Sequence, residues 1–305
     1  MKPDCAARIA LLAAALLCGV EAGGRVSAAP QTSVPSLVLE DYATLPITGA
    51  FGRTVGNRGS LARINFMRPE PGRTDRLWIN DLNGPLYVFD TQARTVTTYL
   101  DFNGRDGRGG LFERFTFTEG FANGLITFAF DPDYARNGRF YTLHLEDPSV
   151  PGRREIAASR VPGIDIRQYS PSEAESTPGP IERESVLLEC TDREPRNQVF
   201  DGTVREVLRI ALNRRTHPTG ELVFNPNARP GDAEWGVLYV GSGDGGSGEQ
   251  RDPLMRMNPQ RLDTLVGKIL RIVPDVSRHQ ATSTVSRNGR YRVPNDNQFV
   301  GVSGA

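Results

Sequence analysis

The stretch GLITFAFDPDYARNGRFYTLHLE, residues 124–146, reads as two short apolar strands, 125–130 and 139–144, on either side of the turn DPDYARNG. Phe, Ile, Thr and Tyr favour extended backbone, and Pro, Asp, Asn and Gly punctuate the middle, so one antiparallel hairpin accounts for the whole block. The same rhythm continues upstream in LARINFM (61–67), RLWIND (76–81), PLYVFD (85–90) and TVTTYLDF (95–102). Downstream it returns in SVLLEC (185–190), VREVLRIAL (204–212), GELVFNP (220–226) and VLYVGSGD (237–244), with NARPGDAEW lengthening the turn between the last two. PQRLDTLVGKILRI (259–272) joins one helical turn to a strand, and the tail YRVPNDNQFVGVSGA (291–305) reads as loop. No long helix is evident, which argues against an α/β nucleotide-binding domain and for an all-β fold. Strand spacing alone fits a sandwich as well as a propeller.

Composition agrees. The chain has 305 residues with 32 Gly and 22 Pro but only 38% hydrophobic residues, which suits many short strands joined by turns. Lys and Arg together number 36, as do Asp and Glu, so no net field steers the chain toward nucleic acid or an anionic membrane, and no nucleic-acid partner is expected.

Residues 1–28 read as a secretory signal, with Lys2 and Arg8 ahead of the apolar run from Ile9 to Val20 and small residues before the cut. That run is shorter than the ~20 residues a spanning helix needs, so no membrane span is expected and the mature protein is expected to be periplasmic or secreted. Leu17 stands where a small residue would precede a lipidated Cys18. Cys5 and Cys18 would leave with the signal, and Cys190, inside an apolar strand, reads as a buried structural thiol. Residues 29–305 then form one domain, interrupted by a Pro-, Ser-, Glu- and Arg-rich surface insertion over 148–183, with a short strand expected near Ile164 to Tyr169.

Few residues carry evident chemistry. His144 ends a strand and His279 lies in the polar SRHQATS loop; three scattered histidines and one cysteine make no zinc cluster, and no metal ligands are assigned. Asp131 and Asp133 in DPDY read as turn chemistry rather than paired catalytic or calcium-binding carboxylates. GRDGRGG (104–110) lacks the Gly-Lys-Ser/Thr ending of a phosphate cradle and reads as a solvated loop.

Three blocks taken together resemble the glucose/sorbosone dehydrogenases that depend on pyrroloquinoline quinone (PQQ). RLWIND with GPLYVFD matches the family's opening strand pair, and GLITFAFDPDYARNGRFY matches its Gly-Leu-Leu-x-x-Ala-Phe-His-Pro-Asp-Phe-x-x-Asn-Gly-x-Phe-Tyr signature. HPTGELVFNP, VLYVGSGDGG, DPLMRMNPQRLDTLVGKILRI and YRVPNDNQFVG then follow in the family's order. The resemblance implies a six-bladed β-propeller of four-stranded antiparallel blades, here incomplete, and oxidation of an aldose or related sugar or polyol. PQQ and calcium are the implied cofactors; the electron acceptor is left open.

In the family a histidine takes the substrate hydroxyl proton while hydride leaves for the cofactor, and that residue falls on His217; the carboxylate that orients it falls on Asp244. Gly243, Gly245 and Gly246 either let the backbone turn beneath a flat cofactor or serve a blade turn. The chain departs from the pattern at Ala122, where a polar residue is usual, at Asp131, where the family has His, and at Thr216, where Asp or Asn is common. The family's Arg-Asn-Pro and Gly-Pro segments, which hold the quinone and calcium, have no counterpart here. The polypeptide alone is therefore expected to be poorly soluble and inactive, and its cofactor-binding residues stay unassigned. The rival expectation is a non-catalytic propeller that binds a protein or glycan; a calcium lactonase fits less well, because its set of Asp, Asn and Glu ligands cannot be assembled.

Overall fold

The computed structural model describes residues 37–49, 62–105, 108–118, 121–156 and 161–302. The signal sequence expected at 1–28 and part of the GRDGRGG loop lie outside them. The chain divides into two units, Met1–Asp41 and Tyr42–Ala305. Residues 37–41 of the first are exposed and without regular structure.

The second unit is built almost entirely from antiparallel strands. The first sheet holds β1 (Ile64–Pro69), β2 (Arg76–Asp81), β3 (Pro85–Asp90) and β4 (Thr95–Asp101), paired in sequence order. The second holds β5 (Leu125–Phe130), β6 (Arg139–Glu146), β7 (Arg183–Asp192) and β8 (Gly202–Leu212), again in order. The third has three strands, β9 (Thr219–Phe224), β10 (Leu238–Ser242) and β11 (Lys268–Ile272). A small hairpin of β12 (Ser283–Val285) and β13 (Arg292–Pro294) adjoins β11 through a bridge between Val273 and Arg292, so part of the tail expected to be loop is paired strand. The turn 131–138 contains α1 (Tyr134–Asn137), which ends on left-handed Gly138. The single turn α2 (Pro253–Arg256) is capped by Asp252, whose carboxylate accepts from the Leu254 N–H.

The sheets stack face to face, and the alternation of side chains along each strand explains how. Trp78, on β2, is fully buried between the first two sheets, with its ring centroid 4.5 Å from that of Tyr99, 4.9 Å from Phe130 and 5.0 Å from Phe140. Its indole N–H finds Glu70 at 2.9 Å, which satisfies the one polar group the ring carries inside. Leu143, Leu187 and Leu208 of the second sheet pack with Leu222, Leu238 and Val240 of the third. The first strands β1, β5 and β9 are neighbours in that order, and Asn65 of β1 donates to the Ile126 carbonyl of β5 at 2.7 Å. The described residues thus make three successive meanders side by side and do not close a ring.

Residues 161–182 lie along the outer edge of β8, where the Asp165 N–H donates to the Gly202 carbonyl and the Glu175 N–H to that of Arg209. This segment covers the ladder groups that an edge strand would expose. Only an isolated bridge at Asp165 forms where a short strand over 164–169 was expected.

Beneath it, Arg209 is fully buried, and its guanidinium bonds Glu146 at 2.8 Å, Glu184 at 2.6 Å and Glu206 at 2.9 Å. Burial by itself would raise the Glu146 carboxyl, but His144 and Arg209 more than offset it and bring it down to about 2.

Candidate functional site

His217 lies immediately before β9, in a tight passage from Asn213 to Pro218. Its backbone adopts φ 49°, a left-handed conformation that costs a side chain with a Cβ roughly 1–2 kcal/mol. Bonds from a facing turn hold it there. The Gly245 N–H donates to the His217 carbonyl at 2.9 Å, the Gly243 N–H to the Pro218 carbonyl at 3.3 Å, and the Arg214 N–H to the Gly245 carbonyl at 2.9 Å. Ser247 Oγ adds a buried bond of 2.7 Å to Asn213 Oδ1. The two segments are zipped together, and strain at one residue is paid by the facing backbone.

That turn follows β10 directly and carries Asp244. His217 Nδ1 lies 3.1 Å from Asp244 Oδ1, so the two residues singled out from the sequence meet. A carboxylate only accepts hydrogen bonds, so the neutral ring carries its proton on Nδ1 and presents Nε2 as the acceptor. Asp244 is itself fixed by the N–H groups of Gly246 at 2.9 Å and Gly248 at 3.1 Å. The imidazole is 59% exposed, within reach of a molecule from solution.

A second carboxylate was not singled out beforehand. Glu249 Oε1 stands 3.7 Å from His217 Nε2, and its other oxygen accepts from Thr216 Oγ1 at 2.9 Å. Thr216, one of the departures from the family pattern, therefore anchors this acid. The signal was present in GDGGSGE, where a second acid shares the glycine-rich turn of Asp244. Asn123 was also missed: its Nδ2 donates to the Arg215 carbonyl at 2.9 Å and ties the start of β5 to the histidine loop. Ala122 beside it is exposed and offers no polar side chain.

The other candidates sit elsewhere. His144 is buried against Phe112, ring centroids 4.4 Å apart, with Nε2 3.4 Å from Glu146. His279 Nε2 donates to the Trp235 carbonyl at 2.7 Å. Asp131 is buried and accepts both guanidinium nitrogens of Arg278, at 3.0 and 3.1 Å, while Asp133 pairs with Arg136. Cys190 is fully buried, and burial pushes its thiol far above the ordinary range.

The glycines of the turn answer to packing. A Cβ on Gly243 would fall 2.3 Å from the His217 carbonyl oxygen, and one on Gly246 would fall 2.4 Å from Arg214 Cβ. Both positions are filled by the neighbouring loop, which favours the blade-turn reading over a cradle for a flat cofactor. Among the described residues no three His, Cys, Asp or Glu side chains converge as metal ligands. A cleft of about 450 Å³ lined by Val237, Arg271, His279, Thr282 and Asp296 includes neither His217 nor Asp244. Among the described residues, the carboxylates and histidines therefore do not by themselves build a calcium site. No helix among the described residues is long and apolar enough to cross a membrane.

No protein-family model matches the chain. Among curated proteins it is 25% identical to the HIPL1 protein of Arabidopsis thaliana over 276 residues, covering 86% of this chain and 36% of that one. With the HIPL2 protein of the same plant it shares 26% over 190 residues, 58% of this chain and 25% of the other. Among solved structures, it is similar to the PQQ-bound aldose sugar dehydrogenase of Streptomyces coelicolor at 18% identity and a TM-score of 0.44, covering 78% of this chain and 48% of that one. The soluble aldose sugar dehydrogenase of Escherichia coli, in its apo form, matches at 16% and 0.41, covering 80% and 49%. The chain thus spans about a third of HIPL1 and about half of these dehydrogenases.

Proposed function

We propose that this chain carries the proton-abstracting part of an exported sugar dehydrogenase with a β-propeller scaffold, in which His217 is the general base and Asp244 its positioning carboxylate. The observation that carries the reading is the 3.1 Å contact between His217 Nδ1 and Asp244 Oδ1, with Nε2 left as the acceptor. Oxidising an aldose at its anomeric carbon requires loss of the hydroxyl proton as hydride departs, and a neutral imidazole takes that proton well near neutral pH. Asp244 keeps the ring in the productive tautomer and stabilises the imidazolium that forms. Three meanders with neighbouring first strands support a propeller scaffold. PQQ as hydride acceptor, with calcium, is implied for the whole protein by the order of its motifs; no step is derived through either.

The test is dye reduction by the protein, supplied with PQQ and calcium and offered a panel of aldoses and polyols. Turnover that requires both quinone and sugar is expected. Folded, quinone-loaded protein that oxidises none of them would overturn the proposal and favour a binding role.

A further inference from the structure

The imidazole of His217 has a carboxylate at each nitrogen. Asp244 faces Nδ1 at 3.1 Å and Glu249 faces Nε2 at 3.7 Å. The second distance is too long for a hydrogen bond as placed but short enough for an ion pair with a protonated ring. The neutral ring has one proton, on Nδ1 toward the nearer acid, Asp244; Glu249 then faces a lone pair and has nothing to accept from the ring. Once Nε2 gains a proton the situation reverses, because the new N–H points toward a carboxylate already in place.

Glu249 is held at this spot by several contacts. Thr216 Oγ1 donates to its other oxygen at 2.9 Å, which fixes the side chain to the residue beside the histidine. Its backbone belongs to the short turn Ser247–Glu249, where the Ser247 N–H donates to the Asp244 carbonyl at 3.0 Å and Gln250 Nε2 donates to the Gly246 carbonyl at 3.0 Å. The nearby cation Arg214 is engaged with Glu182 and with Gln250 Oε1, leaving the Glu249 carboxylate to the histidine and Thr216.

We propose that Glu249 is a second positioning residue of this site, the acceptor for the hydrogen that Nε2 carries when His217 is protonated. Resting on the dehydrogenase reading, its part in turnover follows: the substrate O–H bond breaks as Nε2–H forms, and that proton then passes from Nε2 to Glu249 Oε1 and on to water, returning the ring to its neutral form. The half-exposed Glu249 side chain makes the last transfer direct.

The test is side-chain NMR of the chain with labelled histidine and glutamate, in mildly acidic buffer where imidazoles are protonated, with no cofactor added. In the wild type the His217 Nε2–H resonance should be visible, protected from exchange with water by Glu249. Glu249→Gln keeps an oxygen for Thr216 but removes the charge, and should lose that resonance. As a reciprocal measurement on the intact glutamate, the Glu249 carboxyl carbon should shift as His217 takes up its proton, and should cease to do so in His217→Gln. An equally protected Nε2–H in Glu249→Gln, or a Glu249 carbon indifferent to His217, would overturn the proposal. These readouts do not depend on catalysis, so they separate from the dehydrogenase reading, whose failure would appear instead as full turnover without His217.

Discussion

Arg68 Nη2 of β1 lies 2.8 Å from Glu221 Oε1 of β9, so one ion pair joins the first strands of the first and third sheets. Thr127 of β5, between them, donates to the same oxygen at 3.4 Å. Residues 153 apart in sequence meet because the three strands share one side of the stack. Both partners are partly exposed, so the pair contributes only about 0.2–1 kcal/mol. A double-mutant cycle of Arg68→Ala and Glu221→Ala in urea unfolding should give a coupling energy in that range, reduced by salt. Strict additivity would contradict the arrangement.

Arg209 is the converse case. Replacing it with Met leaves Glu146, Glu184 and Glu206 buried without their shared cation, and stability should fall by about 3–5 kcal/mol. Because the folded Glu146 value is depressed to about 2, its contribution is full above the unfolded carboxyl value of ~4.3 and is lost as pH falls toward about 2. Urea unfolding of wild type and Arg209→Met should therefore converge as the solution is acidified from pH ~5.

Asp192 should show the opposite dependence. Burial, its largest influence, pushes the carboxyl up to about 6, with the Glu194 N–H opposing and Asp201 reinforcing. The folded state then binds the proton more tightly than the unfolded chain, so this residue's contribution is present below pH ~3.9 and is lost as pH rises through about 6. Asp192→Asn should abolish that segment of the stability profile. A variant that follows the wild type from pH ~4 to ~7 would contradict the assignment.

Gly243→Ala tests the packing that sets the histidine. Its new Cβ would press on the His217 and Pro218 carbonyl oxygens, 2.3 and 2.7 Å away, so one of the two segments must move. Unfolding should become easier by about 1–3 kcal/mol, and the Nδ1–H signal of the His217–Asp244 contact should weaken or disappear.

Much of the sheet structure was legible because it depends on local alternation and turn chemistry. GLITFAFDPDYARNGRFYTLHLE contains its own hairpin, and β2, β3, β4 and β10 fall on the apolar runs read for them. Arg292–Pro294 was not legible as strand, since it is only three residues long and its pairing depends on Val273 and on the equally short Ser283–Val285. The course of 161–182 along β8 was hidden for the same reason: polar composition says exposed, while the bonds it makes are to a strand elsewhere in the chain. The approach of His217 to Asp244 was expected only through the order of motifs. Glu249 shows what that route leaves out, because a carboxylate outside the motif pattern becomes visible only when Thr216 brings it to the ring.

The most direct measurement is of the proposed PQQ-dependent sugar oxidation, with and without His217. His217→Ala should lower kcat by at least ~10²-fold while the protein stays folded, as expected for loss of a general base. Turnover equal to wild type in the folded variant would contradict it.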